Sequence, residues 1–175
     1  MKRLSFVVPG LICSLALGAA LSSTPRARAQ DAPDDARSKL LHSVGSLGGF
    51  SAYSTCQYIG CLADALRTKT RPQEQLRAQL GGLRGGLRSE LKELADLGKS
   101  LPAAEKDGID LLTALNKDLA AEVEALDAYA QDPSPANAET FRAARKTAWD
   151  AVRKGLGFDA KVSERLEPGG ATLGQ

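Results

Sequence analysis

The chain has 175 residues, with 23 lysines and arginines, 21 aspartates and glutamates, and a formal net charge of +2. A charge this close to balance gives no net attraction to nucleic acid or to an anionic membrane surface, so neither partner is predicted. The single histidine and single methionine leave few residues for the common haem, zinc and catalytic-triad sites.

Residues 1–29 have the pattern of a Sec-type signal peptide. Two basic residues precede an apolar run over residues 4–21, and Ala27 and Ala29 form a small-residue cleavage site. We expect cleavage after Ala29, which leaves 175 minus 29, or 146, residues of a periplasmic or secreted bacterial protein. The mature chain then has 19 basic and 21 acidic side chains, a net charge of about −2.

The spacing of apolar residues predicts four helices in the mature chain. They are expected over about residues 34–67, 71–98, 103–131 and 135 to Gly155 or Gly157. Short connectors between them favour an all-α, antiparallel up-down-up-down four-helix bundle over residues 30–158. Residues 159–175, rich in glycine and proline, are expected to form a flexible C-terminal tail.

Local signals mark the starts of two helices. Thr70 and Gln73 have the spacing of a capping box at the start of the second helix. Ser134 followed by Pro135 is typical of an N-cap and a first helical position. Both helices therefore have predicted first turns.

The first helix contains no fully charged residue between Leu40 and Ala63. This length would suit a membrane span, which needs about 20 apolar residues. Several serines, glycines and a glutamine keep its mean hydropathy modest, so no span is predicted. We expect instead a bundle helix that is buried on most of its faces.

Charge is distributed unevenly over the other three helices. The third is mainly acidic, whereas the second and fourth are mainly basic. This pattern favours packing of the third helix between the other two. Arg84 and Arg88 are accordingly expected to face Asp110, Asp118 or solvent.

Two cysteines, Cys56 and Cys61, lie in the uncharged part of the first helix. In a regular helix their Cα atoms would be roughly 8.7 Å apart. A disulfide needs roughly 4.4–6.8 Å, so separate buried thiols are predicted. An intrachain disulfide at a helix break near Gly60, intermolecular pairing and metal binding remain as alternatives.

The sequence predicts no catalytic residue, no cofactor and no metal site. No C-x-x-C-H motif for haem attachment is present, and His42 lies about 21 Å along the helix from Cys56. The carboxylates of Asp118 and Glu122 have helical-neighbour spacing, which is common on solvated helix faces. A non-enzymatic protein is therefore expected.

The segment QLGGLRGGLR places four glycines, Gly81, Gly82, Gly85 and Gly86, inside the second helix. Each is about 1 kcal/mol less favourable than alanine in a helix interior. Close packing against a neighbouring helix, room for a large side chain or ligand, and a drifted duplication are three possible reasons.

Counting residues back from each predicted turn brings several unusual side chains to one middle layer of the bundle. This layer is expected to contain Tyr53, Cys56, Tyr58, Gly82, Gly86, Asn116 and Trp149. A packed aromatic centre is the first interpretation. The alternative is a pocket for a small apolar ligand.

The segments YIGCLADAL and SPANAETFRAARKTAWDAVRKGLGF resemble an uncharacterised family of small exported bacterial helical proteins. The resemblance implies a helical bundle and no particular activity. The resulting hypothesis is an exported accessory or protein-interaction module whose partner is another envelope protein. A carrier of a small apolar molecule is the alternative.

Overall fold

The computed structural model describes residues 32–158, so the predicted signal peptide and C-terminal tail lie outside the described residues. This part of the chain is all-helical and contains no strand, which confirms the all-α class. The helices are α1 (Ala32–Arg67), α2 (Gln73–Ser100), α3 (Asp107–Gln131) and α4 (Pro135–Gly155), with a short 3-10 turn at Ala103–Glu105.

The predicted first turn of α4 is confirmed, and that of α2 is wrong. The Ser134 hydroxyl accepts a hydrogen bond from the Asn137 backbone N–H at 3.4 Å, and Pro135 opens the helix. Thr70 instead lies in the turn that follows α1, where its backbone N–H donates to the Ala65 carbonyl at 3.2 Å. The Thr70 N–H is therefore already hydrogen-bonded to α1 and does not form the predicted capping box with Gln73. Helix α2 begins at Gln73 without a side-chain cap.

Helix α3 lies at the centre of the molecule, where it packs against α1, α2 and α4, whereas α1 and α2 touch at only a few positions. Leucines at helical spacing on α2 and apolar residues on α3 face each other across this core. The side chains most completely removed from solvent include Ile59, Leu62, Leu76, Leu80, Leu119, Val123, Leu126, Phe141 and Val152.

The end of α4 returns the chain to the core. Gly157 has a φ of 67°, the left-handed conformation that glycine adopts without a Cβ penalty. The N–H groups of Gly157 and Phe158 donate to the carbonyls of Lys154 and Arg153, which is the Schellman pattern of a helix C-terminus. This turn brings Phe158 beside Tyr53 and Trp149.

The expectation that α1 is buried on most faces is wrong. Ala52, Cys56 and Ile59 are buried on the side that packs against α3 and α4. Leu47 and Phe50, on the other side, are 70% and 67% exposed. Because α2 hardly reaches α1, nothing in the described residues covers that side. None of the helices within residues 32–158 is long and apolar enough to span a membrane.

Candidate functional site

One side of α1 exposes an uncharged surface to solvent. Successive members are three or four residues apart, which places them on the same side of a helix. We call this surface the α1 face and define it by Leu40, Ser43, Leu47, Phe50, Ser54, Tyr58 and Cys61. The Ser43 hydroxyl donates to the Lys39 carbonyl, so α1 itself supplies a partner for this polar group. Large apolar surface predominates on the face.

The structure brings together part of the predicted middle layer. The rings of Tyr53 and Trp149 have centroids 6.4 Å apart, and Phe158 joins both of them. Their separations and tilted or edge-on orientations are those that aromatic quadrupoles favour. These three rings form a packed contact among α1, α4 and the residues after α4.

Other members of the predicted layer lie elsewhere. Tyr58 is on the α1 face and partly exposed. Asn116 is buried on α3, where its side-chain amide donates to the Leu112 carbonyl at 3.1 Å. A Cβ built on Gly82 or Gly86 would meet no atom within 4 Å. These positions therefore do not converge on one pocket.

Gly81 and Gly85 are equally open, so close packing, one of the three reasons offered for the glycine segment, is absent from the described structure. All four glycines lie on the exposed side of α2, while Leu80 and Leu87 are buried. No neighbouring atom of the described structure uses the space that the missing side chains of these glycines leave. The structure gives no physical reason for the repeated Gly-Gly-Leu-Arg unit.

Cys56 and Cys61 are free thiols in very different surroundings. Cys56 is fully buried, whereas Cys61 is exposed on the α1 face. The predicted separation of the thiols holds, the alternative disulfide is not formed, and the predicted burial of Cys61 is wrong. A five-residue step turns the helix by about 140°, which carries Cys61 away from the side that faces α3 and α4.

A buried ion pair between Glu122 and Arg145 lies next to Cys56 and links α1, α3 and α4. On α4, Arg145 Nη1 donates to Glu122 Oε1 on α3 and to the Cys56 carbonyl on α1, the latter at 3.4 Å. Glu122 is 0% exposed and Arg145 is 5% exposed. Glu122 Oε2 and Arg145 Nη2 are buried and have no hydrogen-bond partner among the described residues. The pair is thus only half satisfied.

Burial changes the proton affinity of the groups in this cluster. Desolvation raises the pKa of Glu122 to about 7, although the charge and hydrogen bond of Arg145 oppose this rise. Desolvation together with the Glu122 carboxylate raises the pKa of Cys56 to about 12, although Arg145 acts in the opposite direction. Cys56 is therefore a thiol, and not a thiolate, at neutral pH.

A second charged cluster joins α2 to α3. Asp127 accepts hydrogen bonds from Arg77 Nε at 3.2 Å and from Arg84 Nη2 at 2.7 Å. Burial would raise the pKa of Asp127, but the hydrogen bonds and charges of the two arginines bring it below its usual value. The predicted partners Asp110 and Asp118 are wrong, since both arginines pair with Glu124, and Arg84 also with Asp127. The Arg88 side chain is 73% exposed, as the alternative of a solvent-facing arginine predicted.

Sequence reasoning missed the Glu122–Arg145 pair, although both helices contain a signal for it. Glu122 continues the apolar series Leu112, Leu115, Leu119 at a step of three. Arg145 occupies the step between Phe141 and Ala148. A charged residue at such a position on each of two adjacent helices of opposite net charge indicates a buried pair.

We expect alkylating reagents to distinguish the two thiols in the native protein. Cys61 should react within minutes at pH 8, because its side chain is exposed. Cys56 should react only after the protein unfolds, because the thiolate is the nucleophile and burial disfavours it. Mass analysis of proteolytic peptides would assign the label to each cysteine. Equal labelling rates at the two positions would contradict the described burial of Cys56.

Within residues 32–158, no group of three or more histidine, cysteine, aspartate or glutamate side chains is placed to hold a metal ion. Comparison of the chain with protein-family models, with curated proteins and with solved structures finds no match.

Proposed function

We propose that this chain is an exported, non-enzymatic protein-interaction module that binds its partner through the α1 face. The observation that carries the proposal is the exposure of three large apolar side chains, Leu40, Leu47 and Phe50, on one side of a helix. Single exposed apolar residues are ordinary on protein surfaces, whereas large contiguous apolar patches mark interaction sites. Leu47 and Phe50, three residues apart, are neighbours on this side of α1. The partner surface that fits this face is an apolar, uncharged helix or groove.

Export is part of the proposal and rests on the signal-peptide pattern of residues 1–29. The partner would then be another protein of the bacterial envelope. We also infer that the helices alternate in direction, up-down-up-down. In support, Gln73 at the start of α2 donates to the Ala130 carbonyl at the end of α3, and the α3–α4 connector is only three residues long.

The α1 face supports this function better than the predicted middle layer supports a ligand carrier. Tyr53, Trp149 and Phe158 fill the centre of that layer with their own ring contacts. Gly82 and Gly86 open toward solvent and add no wall to a pocket. Binding of a small apolar molecule in this layer therefore stays a prediction without a structural argument of its own.

The test compares three tagged proteins as baits in an extract of the bacterial envelope. Wild type should retain a partner in near-stoichiometric amount. The variant Leu47→Glu/Phe50→Glu should lose that partner, because two carboxylates would have to be desolvated in an apolar contact. The control Ala78→Glu/Ser89→Glu adds the same charge to exposed positions of α2 and should retain it.

Thermal unfolding of all three baits would check that each is folded, which is expected because every substituted side chain is exposed. Failure of wild type to retain any partner would contradict the proposal. Retention of the same partner by Leu47→Glu/Phe50→Glu would contradict it as well, because binding would then use another surface.

A further inference from the structure

We propose that α1 separates from α3 and α4 as a unit, and that ionisation of Glu122 promotes this separation. The packed form is the major state, and the separated form is a minor state in equilibrium with it. Three features of the structure support this equilibrium: the way α1 is attached, the position of the Glu122–Arg145 pair, and the hydrogen bonds that this pair lacks. The equilibrium does not depend on which partner the α1 face binds.

The first feature is the attachment of α1 to one side of a three-helix group. Helix α3 packs extensively against both α2 and α4, whereas α1 and α2 touch at only a few positions. Separation of α1 would therefore leave the α2–α3 and α3–α4 contacts intact. Parts of a fold with few contacts to the rest are the ones that open independently. Burial of Cys56, Ile59 and Leu62 keeps the separated form rare.

The second feature is the position of the Glu122–Arg145 pair, which lies where α1 meets the other two helices. Arg145 Nη1 on α4 donates both to Glu122 on α3 and to the Cys56 carbonyl on α1. The Cys56 thiol is also close enough to both charges for them to affect its pKa. Helix α1 is therefore one of the elements that keep water away from the pair.

The third feature is the set of hydrogen bonds that the packed form does not provide. Glu122 Oε2 and Arg145 Nη2 are buried and have no hydrogen-bond partner among the described residues. A buried charged group without its hydrogen bonds raises the free energy of the state that buries it. Separation of α1 would let water reach the pair and supply these bonds. The gain is larger for a carboxylate than for a neutral carboxyl group, because burial disfavours the charged form.

Groups on α1, α3 and α4 face Glu122 or lie one turn from it. On α4, the charge and hydrogen bond of Arg145 favour the ionised carboxylate. On α1, the Cys56 thiol faces the pair, and its raised pKa keeps it uncharged at neutral pH. On α3 itself, Asp118 lies one turn before Glu122 and is partly exposed to solvent. Arg145 is thus the strongest influence that opposes separation.

Helix α2 contributes two arginines to this part of α3. Both Arg84 and Arg88 pair with Glu124, two residues beyond Glu122. Desolvation of Glu122 outweighs the effect of Arg145 and raises the pKa of Glu122 to about 7. Glu122 therefore ionises in the neutral range while it is still buried, and each such ionisation favours the separated form.

The direction of the pH dependence follows from proton binding. Between the pKa of Glu122 in the separated form and its higher pKa in the packed form, only the packed form holds the proton. The opening constant, the ratio of separated to packed protein, should therefore rise with pH. From pH 5 to pH 8 the rise can reach about 70-fold. This upper limit applies if the pKa is about 7 in the packed form and the ordinary 4.5 in the separated form.

Amide hydrogen exchange of the purified full chain at pH 5 and pH 8 tests the equilibrium. Exchange rates divided by the intrinsic rate at each pH give the opening constant for each segment. Amides of residues 56–66 on α1 should exchange through an opening of lower free energy and weaker urea dependence than amides of residues 112–126 on α3. The opening constant of the α1 segment should rise by at least about 10-fold between the two pH values.

Three variants test whether Glu122 causes this rise. In Glu122→Gln the side chain does not titrate, so the opening constant of α1 should change by less than about twofold. Glu122→Leu/Arg145→Leu removes both charges and should behave in the same way, which covers the case that Glu122→Gln is unstable. Asp127→Asn is the matched control and should keep the rise, because Asp127 is a carboxylate of α3 that pairs with α2.

Exchange of the α1 and α3 segments with the same free energy and the same urea dependence would overturn the proposal, because the opening would then be global unfolding. An opening constant of α1 that stays unchanged from pH 5 to pH 8 in wild type would also overturn it. A rise that persists in both Glu122→Gln and the double variant would show that another group controls the separation.

Discussion

Replacing Arg145 with alanine is expected to lower the free energy of unfolding by about 3–5 kcal/mol, the usual loss when one member of a buried ion pair is removed. Arg145 is 5% exposed and hydrogen-bonds to both Glu122 and the Cys56 carbonyl. Its removal leaves the Glu122 carboxylate fully buried without a counter-charge. It also removes a contact by which α4 holds α1.

Proton uptake should moderate this loss. Without Arg145, the pKa of Glu122 would rise further, because the opposing charge is gone and burial remains. The variant should therefore bind a proton near neutral pH and be less destabilised at pH 6 than at pH 8. Urea denaturation of wild type and Arg145→Ala at both pH values measures the difference.

Two further variants separate the ion pair from ordinary surface charge. Lys146→Ala removes the next residue of α4, whose ammonium group is exposed and pairs with Asp150. It should change the free energy of unfolding by less than about 1 kcal/mol. The double variant Glu122→Leu/Arg145→Leu should be about as stable as wild type or more stable, because no buried charge is left. A loss below about 1 kcal/mol in Arg145→Ala would contradict the described pair.

The second large effect is a dependence of stability on pH that comes from Glu122. Its pKa is about 7 in the folded protein and 4.5 without the fold. Between these values the folded state holds a proton that the unfolded state has lost. Stability from this group is therefore fully present below about pH 4.5 and is lost as pH rises through about 7. The difference between the folded and unfolded pKa values of Glu122 corresponds to about 3 kcal/mol in the free energy of unfolding.

Glu122→Gln isolates this contribution, because glutamine does not titrate and keeps a similar shape. The stability of wild type relative to Glu122→Gln should fall by roughly 2–3 kcal/mol between pH 5 and pH 8. Asp127→Asn is a control of opposite sign, since the pKa of Asp127 is lowered in the fold and its contribution is lost as pH falls. If the stability of wild type relative to Glu122→Gln stayed constant or rose from pH 5 to pH 8, the charge and hydrogen bond of Arg145 would outweigh the desolvation of Glu122.

The sequence by itself determined the helical class and the approximate limits of the four helices. Leucines at steps of three and four on α2, together with Ser134 and Pro135 at the start of α4, are local signals that tertiary packing did not alter. The acidic character of α3 between two basic helices likewise anticipated which helices exchange ion pairs. These features depend on neighbours in sequence or on net charge.

Tertiary structure decided which side of each helix is buried. On α1, two weakly polar stripes have similar hydropathy, so the pattern could not show that Ile59 would face the core while Leu47 and Phe50 face solvent. On α2, nothing local indicated that the four glycines would meet no neighbour. Only the central position of α3, with α1 and α2 hardly touching, settled these orientations.

Some features of the candidate site could likewise be predicted from the sequence, whereas others depend on the tertiary structure. The uncharged length of α1 could be predicted from composition, but its exposure required knowing that no other helix in the described chain covers it. Glu122 and Arg145 lie 23 residues apart in sequence, and their pairing depends on the contact between α3 and α4. Burial is a property of the assembled helices. It decides whether a carboxylate is an ordinary surface charge or a group that titrates near pH 7.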